Sequence, residues 1–274
     1  MSKSKPTRAK KPEVSGSRPV LLVNSYFQPY PPPEGGLSAQ CLSLCADQAE
    51  ALSAYLIKKL PFCYVSQKHL TERQLAGFTV KEVLDAKLPD QGSVMAGEFG
   101  EILTMFYLRH ERKDKTTAVR KWRYKQDRNK PTPHSDVIIL HRGDTITTND
   151  YVICAESKVK STPSTFAPIE RAVEGMTEDR IGRLARSLTW LKEKAIDHET
   201  PERKAFIERF TDAGPVTFAK YFHAVAVIDN RFLESELRKT LPIPVTESDC
   251  SIIVLGLDNL QELYERIYAS VSCD

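Results

Sequence analysis

The sequence predicts an α/β fold, a mixed sheet flanked by helices, and three observations carry that expectation. Apolar runs of strand length recur at 137–140, 151–155, 221–228 and 251–255. They are apolar on both faces, as strands are when a sheet is covered on both sides. Segments of helical period separate them, which is the alternation of layered α/β domains. With 274 residues, 41% hydrophobic and 27% charged, the chain can bury one sizeable core.

Residues 1–18 are rich in Lys, Ser and Pro and read as a disordered basic tail. Residues 19–90 read as an N-terminal helical elaboration or a partner-docking region. Within it Pro19–Tyr26 is expected to be a short strand, followed by an extended connection over Gln28–Gly36. The spacing of Leu42, Cys45, Ala49, Leu52 and Leu56 predicts a helix from Ser38, its N-cap, to Pro61. A second helix, opened by the capping-box pair Thr79 and Glu82, runs to Lys87. Residues 91–274 form the main domain. It starts with a helix from Met95 to His110 that carries Gly97-Glu98-Phe99-Gly100-Glu101. His134–His141 and Asp150–Val159 read as two strands joined by a turn at Gly143 and Asp144. Helices over Ile169–Ala195 and Pro201–Asp212, a strand over Tyr221–Ile228, a helix over Leu233–Thr240 and a strand over Ser251–Leu255 follow. Asp258 is the expected cap of a last helix ending near Val271.

No apolar run approaches the ~20 residues that cross a bilayer, and the basic N-terminus lacks the apolar core of a signal peptide. A cytoplasmic location without membrane contact is therefore expected. The six cysteines then read as free thiols. Cys41, Cys45, Cys63 and His69 are the nearest approach to a zinc set, and zinc is not expected, because cysteines on the apolar stripe of a helix are commonly buried. The net charge of +3 classifies nothing, but its distribution does: residues 109–130 hold ten Lys or Arg against three acids. There Trp122 and Tyr124 interleave with Lys121, Arg123, Lys125, Arg128 and Lys130, the mixture that suits phosphates and bases together. A solvated loop face is the plainer alternative.

The chemistry concentrates in the hairpin that follows. Asp136 opens its first strand and Glu156-Ser157-Lys158 closes its second. Folding about Ile146, from which Asp136 and Glu156 are each ten residues away, sets the two carboxylates opposite one another. Alternation puts Glu156 and Lys158 on one face with Val152 and Cys154, and turns Ser157 away. Carboxylates this close repel unless a cation lies between them, and a divalent ion with oxygen ligands, Mg2+ or Mn2+, meets that need. Asp136, Glu156 and the backbone carbonyl of Ser157 are candidate ligands. Such an ion activates water for attack on phosphorus. Lys158 has two roles open to it: to orient or deprotonate the water, or to stabilise negative charge in the transition state. On the preceding helix Glu98 and Glu101 can each reach the same site; Glu101 is favoured because it lies nearer the face of Met105 and Leu108. Glu98, near the helix start, also suits the helix dipole. Lys160 shares the face of Lys158 and is a candidate nucleic-acid contact. Arg180, Arg183 and Arg186, at helical spacing, could track a phosphate backbone, and solvated helix charge is the plainer reading. Without a metal, the same residues read as an Asp136–Lys158 salt bridge closing a hairpin.

A helix with Glu, a strand with Asp, then a strand with Glu-x-Lys is the order of the PD-(D/E)xK nuclease superfamily, which this sequence resembles; Pro133 stands three residues before Asp136 instead of directly before it. More narrowly, Gly97-Glu98, Lys121-Trp122-Arg123, Pro131 to Ile138 and Ala155-Glu156-Ser157-Lys158 resemble the C-terminal domain of the HamA/AbpA anti-phage proteins, over roughly residues 90–260. That family often has glycine where His134 or Ser135 stands. The resemblance implies a restriction-endonuclease-like core in residues 91–274, with Asp136, Glu156, Lys158 and Glu101 catalytic. It implies an Mg2+-dependent (or Mn2+-dependent) DNA endonuclease or exonuclease of the bacterial Hachiman defence system, working with a HamB-like helicase. The rival expectation is a catalytically inactive, nuclease-like subunit that binds nucleic acid or serves as an adaptor.

Overall fold

Strands β1 (Phe27–Pro29), β2 (Gln40–Leu44), β3 (Thr116–Ala118), β4 (Val137–His141), β5 (Tyr151–Lys160), β6 (Ala219–Asp229) and β7 (Cys250–Leu257) form one sheet in the order β1-β2-β7-β6-β5-β4-β3. The computed structural model describes residues 23–111, 116–142, 150–198, 201–211, 218–241 and 245–271. The expected basic tail over 1–18 and the turn at Gly143 and Asp144 lie outside the described residues. β3, β4 and β5 pair antiparallel; β5, β6, β7 and β2 run parallel; β1 is antiparallel to β2. The sheet is therefore mixed, and its two edge strands are three residues each.

Helices cover both faces. On one side α1 (Ala49–Lys59), α2 (Pro61–Tyr64), α5 (Ser93–Glu111) and α10 (Leu260–Val271) bring Leu52, Leu56, Phe99, Leu103 and Ile267 against Ile139, Ile153, Val225 and Val227. On the other, α6 (Pro168–Glu178), α7 (Leu184–His198), α8 (Pro201–Thr211) and α9 (Asn230–Leu237) bury Ala172, Met176, Leu188, Phe210 and Leu237 against Ile138, Val152, Cys154 and Ala226. Neighbouring residues of one strand thus enter opposite cores, which explains runs without polar alternation. Two further helices, α3 (Gln67–Leu75) and α4 (Val80–Asp85), lie in the N-terminal region; the capping box of Thr79 and Glu82 opens α4 as expected.

Four expectations need correction. Val23–Tyr26 is a 3-10 turn, and the strand comes after it at Phe27. The helix expected from Ser38 begins only at Ala49, because Gln40–Leu44 is a strand paired with β7, Leu42 opposite Leu255. The helix expected over Ile169–Ala195 is two helices, parted by a wide π-type turn at Asp179–Arg183 where Gly182 leaves helical geometry. Asp258 does not cap α10: Asp229 Oδ2 accepts the Leu260 N–H at 3.0 Å, while Asp258 accepts from the Asn230 amide.

Residues 23–90 are not set apart from the rest. They supply β1 and β2 to the common sheet and Leu52, Leu56 and Tyr64 to the common core.

Candidate active site

The β4–β5 pairing decides which charged groups meet. Its register sets Val137 opposite Ala155 and Ile138 opposite Cys154, so one step further brings Asp136 opposite Glu156, as the hairpin arithmetic requires. Glu156 points to the α6 side, where a Cβ on Gly175 would lie 2.4 Å from its Cδ. Ser157 points to the α5 side: its hydroxyl is 3.1 Å from Thr104 Oγ1, and a Cβ on Gly100 would meet Val159 Cγ2 at 2.3 Å. Two helices therefore sit against adjacent residues of one strand, and each can do so only because it carries a glycine there.

Asp136 stands at the junction. Its Oδ2 accepts the Ser157 N–H at 3.1 Å and lies 3.8 Å from Lys158 Nζ, and its Oδ1 is 3.2 Å from Lys121 Nζ. Burial works to raise its pKa, but Lys121, Lys158 and the Ser157 N–H hold it below the usual carboxylate range. Glu101 arrives from α5, with Oε1 3.3 Å from the same Lys121 ammonium and Oε2 accepting the Trp122 indole N–H at 2.9 Å. Burial pushes the Glu101 pKa well up; the Lys121 charge opposes that and the Asp136 charge adds to it. Lys158 pairs with Glu156 as well as Asp136. Burial alone would lower its pKa, yet the two carboxylates more than offset it, so the lysine is held as a cation.

Of the two candidate carboxylates on α5, Glu98 and Glu101, Glu101 is the one brought to Asp136. Glu98 is 3% exposed and turns into the core, where it pairs with Lys125 and accepts the Tyr64 hydroxyl at 2.6 Å. Tyr64 in turn is 2.8 Å from the Tyr268 hydroxyl. Glu98 thus ties α2, α5 and α10 together.

The basic segment is equally internal. Lys121, Trp122 and Lys125 are buried, as is Lys160, which bonds Glu236 at 2.7 Å and the carbonyls of Ser164 and Phe166. Arg123 donates to the Phe62 carbonyl, and Arg128 to the Asp85 carbonyl and to Asp90. Among the described residues of the segment Lys130 is the most exposed cation, its side chain at 79%, with Arg128 at 38%. Lys121, Lys125 and Lys160 answer internal acids, and burial leaves them and Trp122 no surface to offer a polyanion.

Sequence reasoning missed a third layer. Arg183, read as solvated, clamps the site: it pairs with Glu156 Oε2, donates to Asp179 Oδ1 and the Gly175 carbonyl at 2.7 Å each, and reaches Glu178 at 3.1 Å. Asp179, 1% exposed, accepts the Ser135 hydroxyl at 2.7 Å, and the Ser135 N–H donates to Ser187. The π-type turn therefore fixes both Glu156 and the residue preceding Asp136. Gly182, a glycine inside an otherwise helical run, was the available signal. Beside it His134 holds a φ of 80° and stacks on Trp190 at 4.8 Å. Only glycine is at ease in that backbone region.

A cavity of about 550 Å3 opens between these elements, lined by Gly97, Glu101, Asp136, Lys158, Thr132 and Tyr264 among others. Glu156 lies behind it, linked through Lys158. Among the described residues no group of three or more His, Cys, Asp or Glu side chains is arranged to hold a metal ion. Magnesium is usually bound by one or two carboxylates with water and substrate oxygens making up the rest, so the pair Glu101 and Asp136, hard oxygen donors facing one cavity, fits it.

A search of curated proteins found no match. The family model HamA matches residues 25–271, which extends the resemblance from the region around the hairpin to both ends of the sheet. Since the match takes in every strand and every helix described above, the chain belongs to the HamA family.

Proposed function

We propose that this protein is a metal-dependent deoxyribonuclease of the PD-(D/E)xK type. The observation that carries this reading is the register that sets Asp136 opposite Glu156, with Lys158 beside both and Glu101 delivered to Asp136 from α5. Family membership supports a role in defence against phage, and a helicase subunit is the partner we infer. Among the described residues no helix is long and apolar enough to cross a membrane; action on DNA in the cytoplasm is part of the proposal.

Glu101 and Asp136 would hold Mg2+ or Mn2+, with Glu156 behind them. When bound, the ion supplies a polarised phosphate oxygen and a more acidic water. The chain's own groups do the rest. Lys158, between two carboxylates and open to the cavity, carries positive charge to the place where the scissile phosphate becomes more negative. Of its two possible roles, charge stabilisation suits this environment and proton removal does not. Arg183 and Gly175 hold Glu156 in one orientation, and the Ser157 N–H does the same for Asp136.

The reading is tested by incubating the purified protein, alone and with its helicase partner and ATP, with linear and circular DNA in Mg2+ or Mn2+. Cleavage is expected, and Glu156→Ala or Lys158→Ala should reduce it roughly a hundredfold or more while leaving the fold intact. Absence of cleavage under all of these conditions would sink the proposal. One observation favours the second reading, an inactive subunit: Lys121, Lys158 and Arg183 already neutralise Glu101, Asp136 and Glu156. That reading requires salt-sensitive DNA binding that needs no metal and survives Glu156→Ala.

A further inference from the structure

We propose that Lys121 is a built-in counter-ion standing where a divalent cation would bind, and that residues between Phe62 and Lys87 hold it there. The inference rests on the metal-site reading above and adds the residue that governs occupancy of the site. Lys121 Nζ lies 3.2 Å from Asp136 Oδ1 and 3.3 Å from Glu101 Oε1, with its side chain 3% exposed. The remaining oxygen of each carboxylate is fixed by an N–H, from Ser157 for Asp136 and from Trp122 for Glu101. The oxygens left for a cation are the ones the ammonium holds. With Lys158 also near Asp136, the cluster is already balanced in charge. A divalent ion entering beside a buried ammonium would meet like charge at contact distance in a medium that screens poorly. The two occupants exclude each other.

The ammonium is also seated in a way that permits withdrawal. It is carried by a 3-10 turn, Lys121–Tyr124, outside the strand ladder. The flanks of that turn are held by the N-terminal region. Arg120 and Arg123 both donate to the Phe62 carbonyl, at 3.1 and 2.6 Å, and Lys87 donates to the Lys125 carbonyl at 3.3 Å. Whatever loosens α2 from this turn therefore frees Glu101 and Asp136 together.

The test is Mn2+ binding by calorimetry to the full chain near neutral pH, comparing wild type with Lys121→Met and Lys121→Gln, each with and without Asp136→Asn. Both Lys121 variants are expected to bind Mn2+ roughly 10- to 100-fold more tightly than wild type, and Asp136→Asn should abolish the gain. Equal or weaker binding by both variants, with Asp136→Asn still abolishing wild-type binding, overturns the role of Lys121 and leaves the metal site standing. No binding by any of the proteins overturns both. If the Lys121 variants unfold in chelator, recovery of their circular dichroism on adding Mn2+ supports the proposal, and failure to recover overturns it.

Discussion

Glu156 sits in a place that suits its acid form. Burial and the Asp136 charge raise its pKa, and Lys158 and Arg183 offset only part of this, leaving it pushed up to about 7. A carboxyl whose folded pKa exceeds its unfolded one binds its proton more tightly in the folded state. Its contribution to stability is therefore fully present below about pH 4.5 and is lost as pH rises to about 7. Relative to Glu156→Gln, the wild type should lose roughly 2–3 kcal/mol across that window in metal-free buffer, measured by urea unfolding at several pH values. A difference that stays flat, or that grows in favour of the wild type, would mean the two cations outweigh burial. The pairing of Asp136 with Glu156 was legible because strand period and equal spacing about Ile146 fix a register. The fate of Lys121, Lys125, Lys160 and Arg183 was not, because a charge count cannot tell a cation facing solvent from one facing Glu98, Glu101, Glu156 or Glu236.

The contact of α6 with β5 sets how firmly Glu156 is held. A methyl added by Gly175→Ala would press on Glu156 Cδ, Cγ and Oε1 at once, and the helix must shift or the carboxylate must leave. A loss of about 1–3 kcal/mol is expected from chemical denaturation. Gly97→Ala is the control, since nothing lies within 4 Å of the added methyl; removing a helical glycine there should leave stability unchanged or raise it by up to about 1 kcal/mol. Equal effects of the two substitutions would refute the close-packing argument. The strands β4 to β7 and helix α5 were readable because each is centred on an almost uninterrupted apolar run. Strand β2 was not: Leu42, Cys45 and Ala49 satisfy a helical count, and only pairing with β7 decides otherwise. The long helix after β5 was read through Gly182, since a turn that keeps its hydrogen bonds leaves the apolar period almost undisturbed.

In the whole molecule the sheet joins what the sequence divides near residue 90. A chain beginning at residue 91 would lose β1 and β2, leave the edge of β7 unpaired and open the core where Leu52, Leu56 and Tyr64 sat. It is expected to be insoluble or to melt without a cooperative transition, as followed by circular dichroism. A sharp melt with an undiminished spectrum would show that residues 91–274 stand alone. The division suggested itself because the recognisable motifs lie beyond residue 90, whereas the two N-terminal strands are three and five residues long and leave little trace in a periodicity. The outer strands have a further consequence for assembly. Strand addition by another polypeptide needs a run of unpaired backbone donors and acceptors. β1 offers three residues ending in a proline, and β3 three more. Among the described residues, therefore, neither edge of the sheet offers more than a short template for an added strand.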